Sequence, residues 1–500
     1  MKKAKKFISL FITICLLMTF VPMQMVYADS AFSGGNGTMD DPYLITSAND
    51  FKQLATEVNG GNNYSNTYFK IPETVTETIE LSTDDGYVPI GNDTNQFEGT
   101  FDGGNHTINL NLTGERLVGL FGEGGENSNL CNIRTTGSVS MTGYYAGGIV
   151  ANMYGNVVNC HNEASVTGYY HVGGIVGISD NSKYIINCSN SGAIVGNMNV
   201  GGIVGNISTL KVINCLNTGT VQGDSCGGIA GYSGLYSKIY NCINNGLVTK
   251  KSDGNYIGGL FGEKNGNNDA FGNCYYNGTI NSEIGDFGRL TNNSEHYTVR
   301  DFAKTSEEIV SEDVLMSLNL YARANKPNDT QLLYWKAENG IPVLTEEEPV
   351  FPYTITNNQP NYITVAANAM ADTSVEIKTD KIPAYLKLTK ITVNDNEIKA
   401  NSDGKYIFTM PKNDVTVDAD FEFMLEKDSY DNYIVSTDEE LLILSKAVND
   451  GYEAGNVVLT ADVTASTENG FEPIGTNDNP YKGNFNGKGH TVTLDITSGT

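Results

Sequence analysis

Gly201-Gly202-Ile203-Val204-Gly205 is a stretch to which the chain keeps returning. It recurs as Gly147-Gly148-Ile149-Val150-Ala151, Gly173-Gly174-Ile175-Val176-Gly177, Gly227-Gly228-Ile229-Ala230-Gly231 and Gly258-Gly259-Leu260-Phe261-Gly262, and a diverged copy, Val118-Gly119-Leu120-Phe121-Gly122, precedes them. Counted at the second glycine, the copies lie 29, 26, 28, 26 and 31 residues apart. A second column keeps the same period: Cys131, Cys160, Cys188, Cys215, Cys242 and Cys274 are spaced 29, 28, 27, 27 and 32. Two independent columns sharing one period identify a repeat architecture.

Within one repeat, Asn214-Cys215-Leu216-Asn217 is followed by Gly219-Thr220-Val221-Gln222-Gly223 and then by the glycine-pair segment. Short apolar runs separated by Gly and Asn, with no helical periodicity between them, read as strands. One such unit cannot bury its apolar face alone, but equivalent strands stacked at about 4.8 Å make a continuous core. The expected fold is all-β dominated: a parallel β-solenoid (β-helix) of about six coils with small helical caps. A small antiparallel β domain and the start of a second solenoid module follow it. The glycines serve either a positive φ at corners or close backbone approach between coils.

The G-G-[IL]-[VFA]-G repeats resemble the GLUG motif of bacterial secreted and surface proteins, over about Asp41 to Leu344. The first copy departs from that pattern with Val118 for the first glycine, the second with Ala151 for the last. The resemblance implies the architecture and an exported protein. It does not imply an activity, since such repeats are similar to those of adhesins and of regions flanking immunoglobulin A peptidases.

Lys2, Lys3, Lys5 and Lys6 precede an apolar run from Phe7 to Phe20, and Val26-Tyr27-Ala28 offers a small-residue cleavage site. Residues 1–28 therefore read as a secretory signal peptide, and the mature chain as secreted or held at the cell surface. Removing them takes away four lysines and no acid, so the net charge moves from −27 to −31, with 27 Lys and Arg against 58 Asp and Glu. Such a chain repels nucleic acid and anionic membrane surfaces. No later segment is apolar enough for membrane insertion.

The expected domains are an N-terminal cap module at 41–115, the GLUG-repeat solenoid at 116–282, a C-terminal cap at 283–345 and a small β domain at 350–424. A second cap module, incomplete, occupies 431–500. In the first cap, Ser47 is the N-cap of a helix with Asp50 three residues on, Phe51, Leu54, Ala55 and Val58 inward, and Gly60 as its stop. A second helix is expected over Ser306 to Leu320, with Ile309, Val314, Leu315 and Leu318 inward. In the small domain, Tyr406-Ile407-Phe408-Thr409-Met410-Pro411 followed by Val415-Thr416-Val417 resembles the divergent internalin-type B repeats of Gram-positive surface proteins. From Tyr433 the opening module begins again: Tyr433-Ile434-Val435 matches Tyr43-Leu44-Ile45, and Phe485-Asn486-Gly487 matches the strands before His106. The glycine repeats that follow the first copy do not follow here, so this part is expected to continue in a longer protein.

The chemistry in the sequence is sparse. None of His106, His161, His171, His296 and His490 belongs to an H-E-x-x-H motif, and neither a G-x-S-x-G elbow nor a Walker loop is present. His106 and His490 hold equivalent structural places in the two cap modules. Gly34-Gly35-Asn36-Gly37 carries a fragment of a calcium-binding nonapeptide, but Asp40 stands one place late and the motif occurs once. No cofactor and no metal are expected. The repeating cysteines read as a ladder of reduced thiols, since in-register neighbours have parallel Cβ vectors that strain a disulfide. Asparagines beside them, Asn159, Asn187, Asn214, Asn241 and Asn273 before and Asn162, Asn190, Asn217 and Asn244 after, are expected to form amide ladders of their own.

One constellation is suited to binding. Tyr144, Tyr145, Tyr169 and Tyr170, with His171, precede the glycine pairs of adjacent coils, where aromatic rings can stack on sugars, pack into a partner, or simply stack on one another. The expected function is a non-enzymatic secreted or cell-surface protein, adhesin-like or a stalk, whose partner is an extracellular glycan or protein. Cell-wall attachment would lie beyond residue 500. The alternative is the targeting part of a larger secreted hydrolase or protease. A polysaccharide lyase within the solenoid is a weaker idea, because Glu163, Asp224 and Asp253 fall at different repeat positions.

Overall fold

The computed structural model describes residues 32–179, 183–234, 236–252, 254, 256–265, 270–291 and 302–496; the expected signal peptide at 1–28 and His296 lie outside them. The chain divides into two units, Met1–Pro349 and Val350–Thr500.

The first unit is a parallel β-solenoid with three long sheets of 9, 12 and 13 strands among the described residues. One column of the first sheet shows the stacking: Tyr43, Phe69, Phe101, Leu130, Val157, Ile185, Val212, Ile239 and Phe271 pair in parallel register, each with the next. The rungs thus begin at Tyr43 rather than at about Arg116. Strands Tyr43–Leu44, Tyr68–Lys70 and Thr100–Asp102, in the stretch expected to be only a cap, are the first three strands of this sheet. The period is hidden there because no G-G-[IL]-[VFA]-G segment accompanies these rungs and aromatic rings replace Val and Ile in the core column. Helix α1, Ala48–Asn59, covers this end, with a capping box between Ser47 and Asp50 and with Phe51, Leu54, Ala55 and Val58 fully buried. The Phe51 ring packs 5.5 Å from that of Phe101.

The glycine pairs sit at the corner between two strand columns of the second sheet. None of the pair glycines from Gly147 to Gly259 has positive φ; what they supply is space. A Cβ on Gly202 would lie 2.2 Å from the Gly228 carbonyl oxygen and 2.3 Å from Asn217 Cγ, and one on Gly174 would meet Gly202 O at 2.1 Å and Asn190 Cγ at 2.5 Å. The second glycines Gly148, Gly174, Gly202 and Gly228 therefore lie against an inner asparagine ladder, which explains why the two share a period, while Gly259 lies against the Tyr276 ring. In that ladder Asn162 Nδ2 donates to Asn190 Oδ1 at 2.7 Å, Asn190 to Asn217 at 2.8 Å and Asn217 to Asn244 at 2.8 Å. It starts from the Thr135 hydroxyl, which donates to Asn162 Oδ1, and ends where Asn244 donates to the carbonyls of Gly246 and Gly259.

The cysteine column differs from expectation in its first member. Val158 pairs with Cys131, so Cys131 stands two places upstream of the column and Ile133 takes the place in line with Cys160. The constant spacing conceals a two-residue shift. Cys160, Cys188, Cys215, Cys242 and Cys274 are buried and free. Each thiol donates to the carbonyl two residues before it, at 3.4, 3.2, 3.4, 3.2 and 3.3 Å. A serine in the column would therefore find a carbonyl partner waiting for its hydroxyl. Burial pushes the thiols of Cys160, Cys215, Cys242 and Cys274 well above their ordinary range, which keeps them protonated and unreactive.

The same shift affects the outer asparagine ladder. Its first coil also holds a member, Asn132, which follows Cys131 whereas the other members precede their cysteines. Asn132, Asn159, Asn187, Asn214, Asn241 and Asn273 all take left-handed φ between 53° and 59°, which Asn tolerates better than other L residues. Each later amide donates to the one before it, at 3.3, 2.9, 2.8, 2.7 and 2.6 Å, and Asn132 closes the series on Asp102 Oδ1 at 2.9 Å.

Residues 283–345, expected to form an end cap, divide their work. Gly285–Thr291 and Ala303–Lys304 add further strands to the solenoid sheets. Helix α2, Glu312–Ala324, and the hairpin of Tyr334–Glu338 with Ile341–Thr345 lie instead along the flank. Ile309, Val314, Leu318 and Trp335 pack there against Leu216 and Ile243 of the third sheet. Trp335 Nε1 donates to Asn214 Oδ1 at 2.7 Å, and Asn214 Nδ2 donates to Leu333 O at 2.8 Å.

In the second unit, Tyr353–Asn357, Val415–Phe423 and Leu386–Val393 form the centre of a five-stranded sheet. Its pairings are antiparallel except one: Ile355 to Asn357 runs parallel to Val415 to Val417. Thr364 and Lys378 add an isolated antiparallel bridge. The repeated module then reproduces the first in detail. Helix α3, Asp438–Asn449, has its own capping box, between Thr437 and Glu440. Asn449 accepts from Gly475 N and donates to Pro473 O, as Asn59 does with Gly91 and Pro89. In both modules the left-handed glycine is the second residue after the helix, Gly61 or Gly451, rather than Gly60.

Two outcomes test this packing. Gly202→Ala should cost about 2–3 kcal/mol through overpacking against backbone and amide, whereas Gly455→Ala, where nothing lies within 4 Å of the new methyl, should stay within about 1 kcal/mol; paired denaturant melts read both. Asn214→Ala should release Trp335, the only tryptophan of the chain, and shift its emission to the red at denaturant concentrations where the parent is still folded.

Candidate functional site

The corner before the glycine pairs carries the expected tyrosines. Ala146 pairs with Val172 and Tyr170 with Met198, which sets Tyr144 beside Tyr170 and Tyr145 beside His171. The Tyr144 and Tyr170 rings stack at 6.0 Å with 16° between planes, and Tyr169 meets Tyr170 edge-on at 4.5 Å. Tyr145 lies 5.3 Å from the His171 ring. The rings stack on one another, yet Tyr144 remains 56% and Tyr169 45% exposed, and Met198 on the next rung is 45% exposed. The neighbouring Tyr169 raises the Tyr170 phenol, so that hydroxyl stays neutral at physiological pH. A row of neutral aromatic faces fixed on sheet strands can receive the apolar face of a sugar or a partner's side chain.

A second grouping went unnoticed in the sequence. In Asn159-Cys160-His161-Asn162, Asn187-Cys188-Ser189-Asn190 and Asn214-Cys215-Leu216-Asn217, the third position varies while its neighbours repeat. That position faces outward on the third sheet, where Arg134, His161, Ser189, Leu216, Ile243 and Tyr275 pair in line. The polar members come together: His161 Nδ1 lies 2.6 Å from Ser189 Oγ, His161 Nε2 lies 3.2 Å from Glu163 Oε1, and Arg134 Nη2 lies 3.1 Å from the same oxygen. Burial and the Arg134 guanidinium lower the His161 pKa against the pull of Glu163, so the imidazole is neutral at pH 7. Hydroxyl, imidazole and carboxylate stand in the order of a nucleophile relay, although Arg134 shares the carboxylate. A variable place inside an invariant frame was the signal that could have found this row.

The carboxylates considered for a lyase are not gathered. Glu163 belongs to this flank, Asp224 accepts from Ser252 N and Oγ, and Asp253 lies outside the described residues. Of the cap histidines, His106 Nε2 is buried without a hydrogen-bond partner, whereas His490 Nδ1 lies 3.5 Å from Asp462. Among the described residues no group of three His, Cys, Asp or Glu could hold a metal ion, and no helix is long and apolar enough to cross a membrane.

No protein-family model matches the chain. A "Putative Gly-rich membrane protein" of Evansella cellulosilytica is 32% identical over 165 residues, which are 31% of this chain and 18% of that protein. Halomucin of Haloquadratum walsbyi is 36% identical over 155 residues, 29% of this chain and 2% of that protein. The chain thus matches less than a fifth of the length of either curated relative. Among solved structures, the crystal structure of a "putative immunoglobulin A1 protease" from Bacteroides ovatus is similar over 64% of this chain and 96% of that one, at 21% identity and a TM-score of 0.44.

Because Tyr144 and Tyr169 are exposed, replacing either with Ala should cost no more than about 1 kcal/mol. Thermal melts of the single variants and of the four-tyrosine variant should keep the transitions of the parent, each near its parent midpoint.

Proposed function

We propose that this chain is a non-enzymatic secreted or cell-surface repeat protein of the GLUG type, whose solenoid presents an adhesin-like binding surface at Tyr144, Tyr145, Tyr169 and Tyr170. The observation that carries the reading is the exposed, stacked tyrosine corner on two adjacent rungs of the second sheet. The partner is an extracellular glycan or protein. The net charge of −27 opposes nucleic acid, and the names of the two curated relatives, a membrane protein and a halomucin, support a place at or outside the cell surface.

Glycan and matrix-protein arrays probed with the chain should yield a ligand, and the four-Tyr→Ala variant should bind it at least thirtyfold more weakly, the scale of losing one aromatic hot spot worth about 2 kcal/mol. Unchanged binding would remove the tyrosine corner from the reading. Turnover of a peptide or polysaccharide that Ser189→Ala and His161→Gln both abolish would overturn the non-enzymatic assignment.

A further inference from the structure

The outer asparagine ladder is covered along only part of its length. Four members use their second amide hydrogen on the flanking segment: Asn187 donates to Gln331 O at 3.0 Å, Asn214 to Leu333 O at 2.8 Å, Asn241 to Leu318 O at 3.1 Å and Asn273 to Ser317 O at 3.1 Å. Asn187 also accepts from Leu333 N at 3.1 Å. One Asn side chain therefore bonds a carbonyl and an N–H two residues apart on an extended peptide, as a strand neighbour would. The next two members, Asn159 and Asn132, give one amide hydrogen to the ladder and, among the described residues, make no further side-chain donation. Both line a cleft of about 560 Å³ between the solenoid flank and the hairpin. Its solenoid wall carries Arg134 and His161, and its hairpin wall carries Leu333, Ile341 and Leu344, with Ile341 41% exposed.

The outward row explains why the covering stops there. Leu216 and Ile243 are apolar and lie under the flank segment, while Arg134, His161 and Ser189 are polar and border the open cleft. We propose that this cleft docks an extended peptide segment of another protein, its backbone held by Asn159 and Asn132 as Gln331 and Leu333 are held by Asn187 and Asn214. The site continues an interface the chain already makes with its own backbone, so the occupant is a polypeptide in strand conformation. Alternate apolar side chains of that segment face Ile341 and Leu344. The site is separate from the tyrosine corner and stands whether or not that corner binds anything.

The test is selection of a phage-displayed library of linear seven-residue peptides on the full chain, with affinities of synthetic copies read by fluorescence polarisation. Asn159→Asp removes the donor, and Ile341→Glu charges the hairpin wall without touching the ladder. Each should weaken the selected peptides at least tenfold while Trp335 emission and the melting midpoint stay at the parent's values, and Tyr144→Ala should leave them unchanged. Should Asn159→Asp lower the melting midpoint, Ile341→Glu alone decides. Failure to select any peptide above background, peptides indifferent to Ile341→Glu, or a glycan that competes for the cleft where peptides do not, would each overturn the proposal.

Discussion

The solenoid depends on one repeated contact, the closure of an asparagine amide on the amide of the next coil. Each buried amide must have its donors and acceptor met, and a neighbour of the same kind at the strand spacing meets them. The inner ladder requires the corner backbone to approach within van der Waals range, which only glycine permits. The pair glycines, the inner asparagines and the thiols that donate to their own backbone are thus parts of a single cross-section. Changing a pair glycine leaves an atom without room and changing an inner asparagine leaves a polar group unmatched, so the period of the sequence is the period of this constraint.

Composition and period made the class of fold legible, because Gly202, Cys215 and Asn217 recur with their whole environment. Register was less legible. Cys131 keeps the spacing of the thiol column yet sits two places away from it, since a spacing counts residues and not which face a strand turns outward. Its displacement also hid Asn132, the head of the outer ladder. The first rungs are harder to read because Phe69 and Phe101 fill the core by a ring each and the glycines beside them, such as Gly99 and Gly103, do not form the five-residue segment.

The candidate site was half legible. Tyr144, Tyr145, Tyr169 and Tyr170 announced themselves by residue type, though their partners across the rungs follow only from the backbone pairing. The flank was not legible at all. Leu216 and Trp335 meet across more than a hundred residues of chain, and nothing local in Pro327 to Thr345 says that it will lie along the coils and not over their end. What could be read was the variable place between repeating neighbours, where the outward row turns from His161 and Ser189 to Leu216 and Ile243.

The two asparagine ladders run in opposite senses. In the outer one each amide donates toward the preceding coil, from Asn273 back to Asp102; in the inner one each donates toward the following coil, from Thr135 to Asn244. Aligned amides would add their dipoles coil by coil, as a helix does. Two opposed columns offset one another over the coils they share, from Asn162 to Asn244, so adding a coil that carries both asparagines adds little net dipole. Coils of that kind can be gained or lost with little electrostatic effect on the ends that cover them.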